Sequence, residues 1–254
     1  CLPTHLHAPA AIAAMKRGVG VICEKPFASS VEDAQAMLEA SRNAGVPLMI
    51  AHCLRFTKNY AYLKRCIKDG RFGKLLTYNS YRETPKPDWS VGNWLANTKL
   101  SGGAVRDLHV HDTDMIIGLL GEPEAVYTVG SDTYCRTVYR YAGKAVSASA
   151  SWRDIKGVPF DDGIDVAFEH AWFKSRDGIV RVYTDGENFD PFEKEDFSDF
   201  SEEMVKCELD YFARVMSGAK NEICPPEESY ISIKVSFAES DSLSFGKEIP
   251  ISSK

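Results

Sequence analysis

Nothing in this chain of 254 residues approaches the roughly 20 consecutive apolar residues that a membrane-spanning helix needs. Positive charge is in deficit: 30 Lys and Arg stand against 36 Asp and Glu, for a net charge of −6. With a pI near 5.6, that balance argues against a general nucleic-acid binder, which would carry a basic face. No two cysteines have the Cys-x-x-Cys spacing of a zinc knuckle or a redox dithiol. The seven stand apart at 1, 23, 53, 66, 135, 207 and 224, and read as reduced thiols of a cytoplasmic protein. The sequence has no internal repeat, no low-complexity tract, no opening Met and no signal-like segment. Its first residues, Cys-Leu-Pro-Thr, read as a chain entered partway through a larger unit. What is present is a globular balance, 44% hydrophobic and 26% charged, enough for one large domain or two modest ones.

Periodicity organises that material. Residues 8–17 are helix-prone and stop at Gly18; residues 19–23 (VGVIC) form a continuous apolar run of the buried-strand type. Ser30 is a good N-cap for a helix over 31–44, with Glu32 and Asp33 favouring its positive end. Residues 47–51 (PLMIA) supply a second apolar strand. Helix–strand alternation at this tempo predicts a parallel, helix-covered sheet. A helix over 58–68, a strand over 75–82 and a Pro- and Gly-rich loop over 84–93 follow. Gly102-Gly103 then opens one helix over 104–120. Beyond it the pattern changes to strands at 125–129, 133–141, 144–153, 164–171 and 178–183, which implies a largely antiparallel sheet. Strict alternation in 147–152 (SASASW) puts small polar side chains on one face. An acidic loop (184–199), helices over 200–216 and 227–243, and a short strand near 248–251 complete the chain. The expectation is an α/β protein. Residues 1–54 make part of a Rossmann-type parallel sheet, and residues 55–254 an α+β domain with a large, mostly antiparallel open sheet.

Two places can carry chemistry. Glu24-Lys25-Pro26 follows the strand 19–23, and ligands of parallel α/β sheets bind outside the carboxyl ends of strands. An ordinary solvated charge pair is the competing reading. On the helix 104–120, Asp107, His111, Asp114 and Gly118 share a narrow stripe at 100° per residue. Asp107 and His111, four apart, are expected to touch, and a carboxylate beside an imidazole can orient the ring as a proton acceptor. The competing reading is an exposed helix pair. Asp112 falls in the apolar arc, and is expected either to be buried with a partner or to be covered by a neighbouring domain. The His-x-His pairs at 5/7 and 109/111 raise a metal site. On a helix, however, residues two apart point about 200° apart and cannot chelate one ion. Trp89, Trp94 and Trp152 suit a polyol pocket or a core equally. Arg55 suits a phosphate, a ribose or the surface.

The segments CLPTHLH (1–7), GVGVICEKPFA (18–28), LRF (54–56) and GGAVRDLHVHDTD (102–114) resemble those of the glucose–fructose oxidoreductase / inositol dehydrogenase / rhizopine catabolism (Gfo/Idh/MocA) family. The resemblance runs the length of the chain. It implies a dehydrogenase using NAD or NADP on a secondary alcohol of a sugar, cyclitol or related polyol. It also implies a Rossmann domain followed by an α/β domain whose open sheet builds homodimers or homotetramers. Lys25 matches the active-site lysine; Asp107 and His111 match the D-x-x-x-H pair. Pro3, Thr4, His7, Glu24, Lys25 and Arg55 match positions near the cofactor. No metal is implied. The departure is the absent G-x-G-x-x-G turn that holds a pyrophosphate at a helix N-terminus. Gly18-Val19-Gly20 precedes a strand and is no substitute. Two βα units are therefore expected ahead of Cys1. The alternative is a non-catalytic binding or regulatory member, or an inactive fragment.

Overall fold

The computed structural model describes residues 2–155, 157–200 and 203–251. Expectations for Cys1, Ser201, Glu202 and the last three residues lie outside that set. The chain opens with a single helical turn over Thr4–Leu6, then α1 (His7–Met15), β1 (Val21–Glu24), α2 (Val31–Ala44) and β2 (Leu48–Ala51). β1 and β2 pair in parallel, Val21 opposite Leu48 and Glu24 opposite Ala51. The caps act as the sequence indicates: Ser30 Oγ accepts from the Asp33 N–H, and Gly45 closes α2 at φ 64°. A tight turn over Cys53–Phe56 leads to α3 (Lys58–Asp69) and β3 (Leu75–Pro85).

The remaining elements are α4 (Thr98–Ser101), α5 (Gly103–Asp107), α6 (Val110–Leu120), β4 (Ala125–Gly130), β5 (Tyr134–Tyr141), β6 (Lys144–Arg153), β7 (Asp161–Phe168), β8 (Ala171–Arg176), β9 (Ile179–Thr184), β10 (Glu187–Phe189), α7 (Pro191–Lys194), α8 (Met204–Met216), α9 (Pro226–Phe245) and β11 (Ile249–Pro250). Nine of these strands form one sheet in the order β10-β9-β8-β7-β3-β6-β5-β4-β11. All its pairings are antiparallel except β3 with β6, which run parallel over Thr77–Pro85 and Ala145–Arg153. Burial alternates along β5, with Tyr134, Arg136 and Val138 outward and Cys135, Thr137 and Tyr139 inward. One sheet face packs on helices and the other is uncovered. Two sequence expectations change here. The span 164–171 straddles a turn between β7 and β8, and the acidic stretch 184–199 contains β10 and α7.

α9 joins the two sheets. Its Val235 and Ala238 are buried with the large sheet's core, beside Tyr139 and Val126. Its Ile233 is buried with the core of the small sheet, among Met15, Phe27, Met37 and Ile50. None of the helices in the described residues is long and apolar enough to cross a membrane.

Candidate active site

β1 ends at Glu24, so Lys25 leaves the sheet at a carboxyl edge, as the strand pattern predicts. Pro26 and Phe27 behind it are buried, which anchors the loop. The half-buried Lys25 ammonium donates to Asp107 twice: to Oδ1 at 2.9 Å and to the backbone oxygen at 2.7 Å. The two sequence candidates therefore meet, 82 residues apart in the chain.

The helix carrying Asp107 and His111 is not continuous. Gly102 ends α4 at φ 81°, and α5 ends at Asp107. The Leu108 and His109 N–H groups both donate to Ala104 O, at 3.1 and 2.7 Å. The His111 N–H then donates to Leu108 O at 3.3 Å. The ladder slips from i−4 to i−5 and tightens to i−3 before α6 begins, a local π-type turn. That slip breaks the 100°-per-residue arithmetic, and no hydrogen bond joins Asp107 to His111 among the described residues. Asp107 is committed to Lys25 instead. Gly103 makes the turn possible: at φ +69°, a Cβ there would lie 2.1 Å from Asp132 O. That same oxygen accepts from the Ala104 N–H at 2.7 Å.

His111 has no hydrogen-bond partner among the described residues, and its Nδ1 is buried. Burial, then the nearby charges of Lys25, Arg82 and His52, hold its pKa well below the usual imidazole value. The ring is therefore neutral, with a lone pair free. His52 directly follows β2 and is also buried; desolvation takes it down to about 4 despite Asp114. Asp114, placed on the site stripe from the sequence, is turned inward and 1% exposed. Its oxygens accept from Arg55 Nε at 2.8 Å and Nη2 at 2.9 Å. Asp112 is buried with a partner, accepting from Arg82 Nε at 3.1 Å. Arg82 also reaches Asp162, in the wall of a cavity of about 280 Å³ between α3 and the sheet. A wider hollow of about 800 Å³ along α8 contains none of these groups. Glu208 on α8 is buried with Oε1 unpartnered; desolvation, then Glu24 and Asp114, push it up to about 8.

The structure separates the cofactor candidates. Glu24 is exposed beside Lys25, and Pro3 and Thr4 begin the first helical turn. His7 is buried with Nδ1 3.0 Å from Pro26 O and Nε2 3.0 Å from Leu2 O. Its ring braces the Lys25 loop and offers no nitrogen to a ligand. Arg55 is corrected more sharply. It is 0% exposed, and its nitrogens are spent on Asp114, Glu228 and Ile223 O. A guanidinium needs a carboxylate when it is taken out of water, so Arg55 supports the site from behind. Sequence reasoning missed His52, Arg82 and Glu208. His52 carried the same signal as Lys25, a polar residue just past a buried strand. Glu208 carried none. Of the tryptophans, Trp152 is core and Trp89 is 78% exposed. Two parallel strands end at Glu24-Lys25 and His52, at the carboxyl edge where parallel α/β sheets bind ligands. The glycine turn for a dinucleotide's pyrophosphate is not in this sequence.

Residues 1–52 match the oxidoreductase family with an NAD-binding Rossmann fold, and residues 60–174 match the GFO/IDH/MocA C-terminal domain. Levoglucosan dehydrogenase of Pseudarthrobacter phenanthrenivorans is 38% identical over 133 residues, 50% of this chain and 33% of its own length. Myo-inositol 2-dehydrogenase of Thermotoga maritima is 33% identical over 134 residues, 52% of this chain and 38% of its own. A 2,7-anhydro-N-acetylneuraminate hydratase of Escherichia coli is 34% identical over 131 residues, 51% of this chain and 35% of its own. The matched segments thus span about a third of the curated relatives' length. Among solved structures, a levoglucosan dehydrogenase in complex with NADH and levoglucosan superposes with a TM-score of 0.84 at 22% identity, covering 100% of this chain and 79% of that one. The WlbA dehydrogenase of Bordetella pertussis, in complex with NADH and UDP-GlcNAcA, gives 0.83 at 20% identity, covering 100% and 78%. At such identities the likeness establishes the fold. Two segments of the chain match one family, with the fold of its solved members: the chain belongs to the Gfo/Idh/MocA oxidoreductases, whose Rossmann domain binds NAD.

Proposed function

We propose that the protein is a dehydrogenase of a sugar, cyclitol or related polyol, with Lys25, Asp107 and His111 at its reacting centre. The observation that supports this is the convergence of Lys25 and Asp107 near a half-buried His111 held neutral, at a strand's carboxyl end. A bound nicotinamide, of NAD or NADP, supplies the hydride acceptor. His111 takes the proton of the substrate hydroxyl into its free lone pair. Lys25 donates to the same oxygen and stabilises its growing negative charge. Asp107 holds the Lys25 ammonium in place. Glu24, Pro3 and Thr4 flank the cofactor.

The test is steady-state turnover on a panel of sugars and cyclitols. His111→Ala and Lys25→Ala are each expected to lower kcat by about 10²–10⁴-fold. Near-full kcat in both would overturn the assignment. A binding or regulatory role predicts instead that NADH causes no saturable change in tryptophan fluorescence. The same family reading carries self-association through the uncovered sheet face, where Tyr127, Val129, Tyr134 and Val138 stand outward.

A further inference from the structure

A smaller cavity of about 190 Å³ is walled in part by the sequence neighbours of the Lys25–Asp107 pair. Its walls include Pro26, the residue after Lys25, and Arg106, the residue before Asp107. Thr4, His5, Ser29, Lys99 and Ser101 complete its polar lining, and no Asp or Glu contributes. Glu32 and Asp33 on the first turn of α2 do not line it.

Arg106 is the unusual member. The other arginines near the site are paired, Arg55 with Asp114 and Glu228, Arg82 with Asp112 and Asp162. Arg106 has no carboxylate partner among the described residues, although desolvation lowers its pKa. Its guanidinium is held over the Phe237 ring at 4.8 Å. It also lies against Gly102, where a Cβ would come within 2.0 Å of Nε. Protein contacts thus fix this cation without neutralising it. Lys99 on α4 likewise has no ion-pair partner among the described residues, and Ser29 Oγ in the same wall is buried with no hydrogen-bond partner. A desolvated cation without a counter-charge is costly, and that cost is recovered when an anion arrives.

We infer that this cavity binds a compact anionic group, a carboxylate or a phosphoryl, carried by a molecule that reacts at Lys25. At about 30 Å³ per water, its volume takes roughly six waters, enough for a charged substituent and too little for a whole sugar nucleotide. The charge would sit against Pro26 and Arg106, which adjoin the reacting pair in sequence. The anion belongs either to an acidic or phosphorylated sugar or to the dinucleotide. Its place in a reaction rests on the dehydrogenase reading; the binding itself does not.

Calorimetric titration of the chain with inorganic phosphate and with D-glucuronate tests it. One saturable site is expected. Arg106→Gln and Lys99→Gln should each weaken it by about tenfold or more, as loss of a charge-assisted hydrogen bond implies. Lys99 is exposed, so its variant reads the pocket even if Arg106→Gln unfolds. His111→Ala exchanges one neutral group for another and should leave phosphate affinity within about twofold, so a failed proton acceptor and a failed pocket are told apart. Displacement of phosphate by NADH or NADPH assigns the anion to the cofactor; displacement by glucuronate alone assigns it to the substrate. No saturable binding, or unchanged affinity in both variants, overturns the inference.

Discussion

Replacing Arg55 by Met removes the only arginine paired with Asp114 among the described residues and leaves a carboxylate that is 1% exposed. The loss is two direct bonds, at 2.8 and 2.9 Å, together with the contacts to Ile223 O and Glu228. Ser232 Oγ at 2.7 Å and the neutral His52 remain, and neither carries a compensating charge. Breaking a buried pair from one side costs about 3–5 kcal/mol. For a chain of this size, that is a fall in Tm of about 6–20 °C. Burial, the largest influence, would raise the Asp114 pKa; Arg55, His52 and the Ser232 hydrogen bond together outweigh it and hold the group below the ordinary carboxylate value. The wild-type contribution is therefore complete above that ordinary value and disappears as pH falls through the lower folded one. In the variant the sign reverses. Burial governs, the carboxyl takes up a proton, and the penalty shrinks as the pH is lowered. Urea unfolding of both proteins from about pH 8 to about pH 5 reads this directly. The double variant Arg55→Met with Asp114→Leu should regain much of the loss, because no charge is then stranded. A penalty below about 1 kcal/mol, or one that does not change with pH, would refute the reasoning.

Three other outcomes are expected. Glu239 is fully buried, pushed up to about 8 by desolvation, while its neighbour His109 is pulled down to about 4, so both are neutral near pH 7. The stability tied to Glu239 is fully present below the ordinary carboxylate value and is lost as pH rises from there through about 8; Glu239→Gln should flatten that decline in a thermal-melt series. Gly103→Ala should cost about 2 kcal/mol or more in denaturant unfolding, since it adds both the left-handed penalty and a clash with Asp132 O. Val138→Glu, on the uncovered face, should shift light-scattering mass toward the monomer.

The elements were legible wherever a local rule governs them. The Ser30 cap, the Gly45 stop and the run VGVIC give α2 and β1 within a residue or two. The site was legible as two fragments, Lys25 and Asp107–His111, because each obeys a local pattern. What local rules cannot supply is which charge meets which. Arg55 finds Asp114 across 59 residues and Lys25 finds Asp107 across 82. The broken helix was hidden for another reason. Residues 104–120 contain no Pro and no internal breaker before Gly118, so only the tertiary contact of Ala104 with Asp132 reveals the slip.

The shared helix α9 bears on the order in which this molecule can be made. Ile233 seals a core otherwise built from residues 8–50, and Val235 and Ala238 seal one built largely from residues 54–197. β3 must also wait for β6, some 70 residues later, before it gains its parallel neighbour. During synthesis, therefore, neither core can close until α9 has cleared the ribosome. Until then two half-built units expose apolar surface together. Synthesis and assembly should be most vulnerable to aggregation in that interval, and a truncation before residue 226 should disable the early strands β1 and β2 as surely as the late ones.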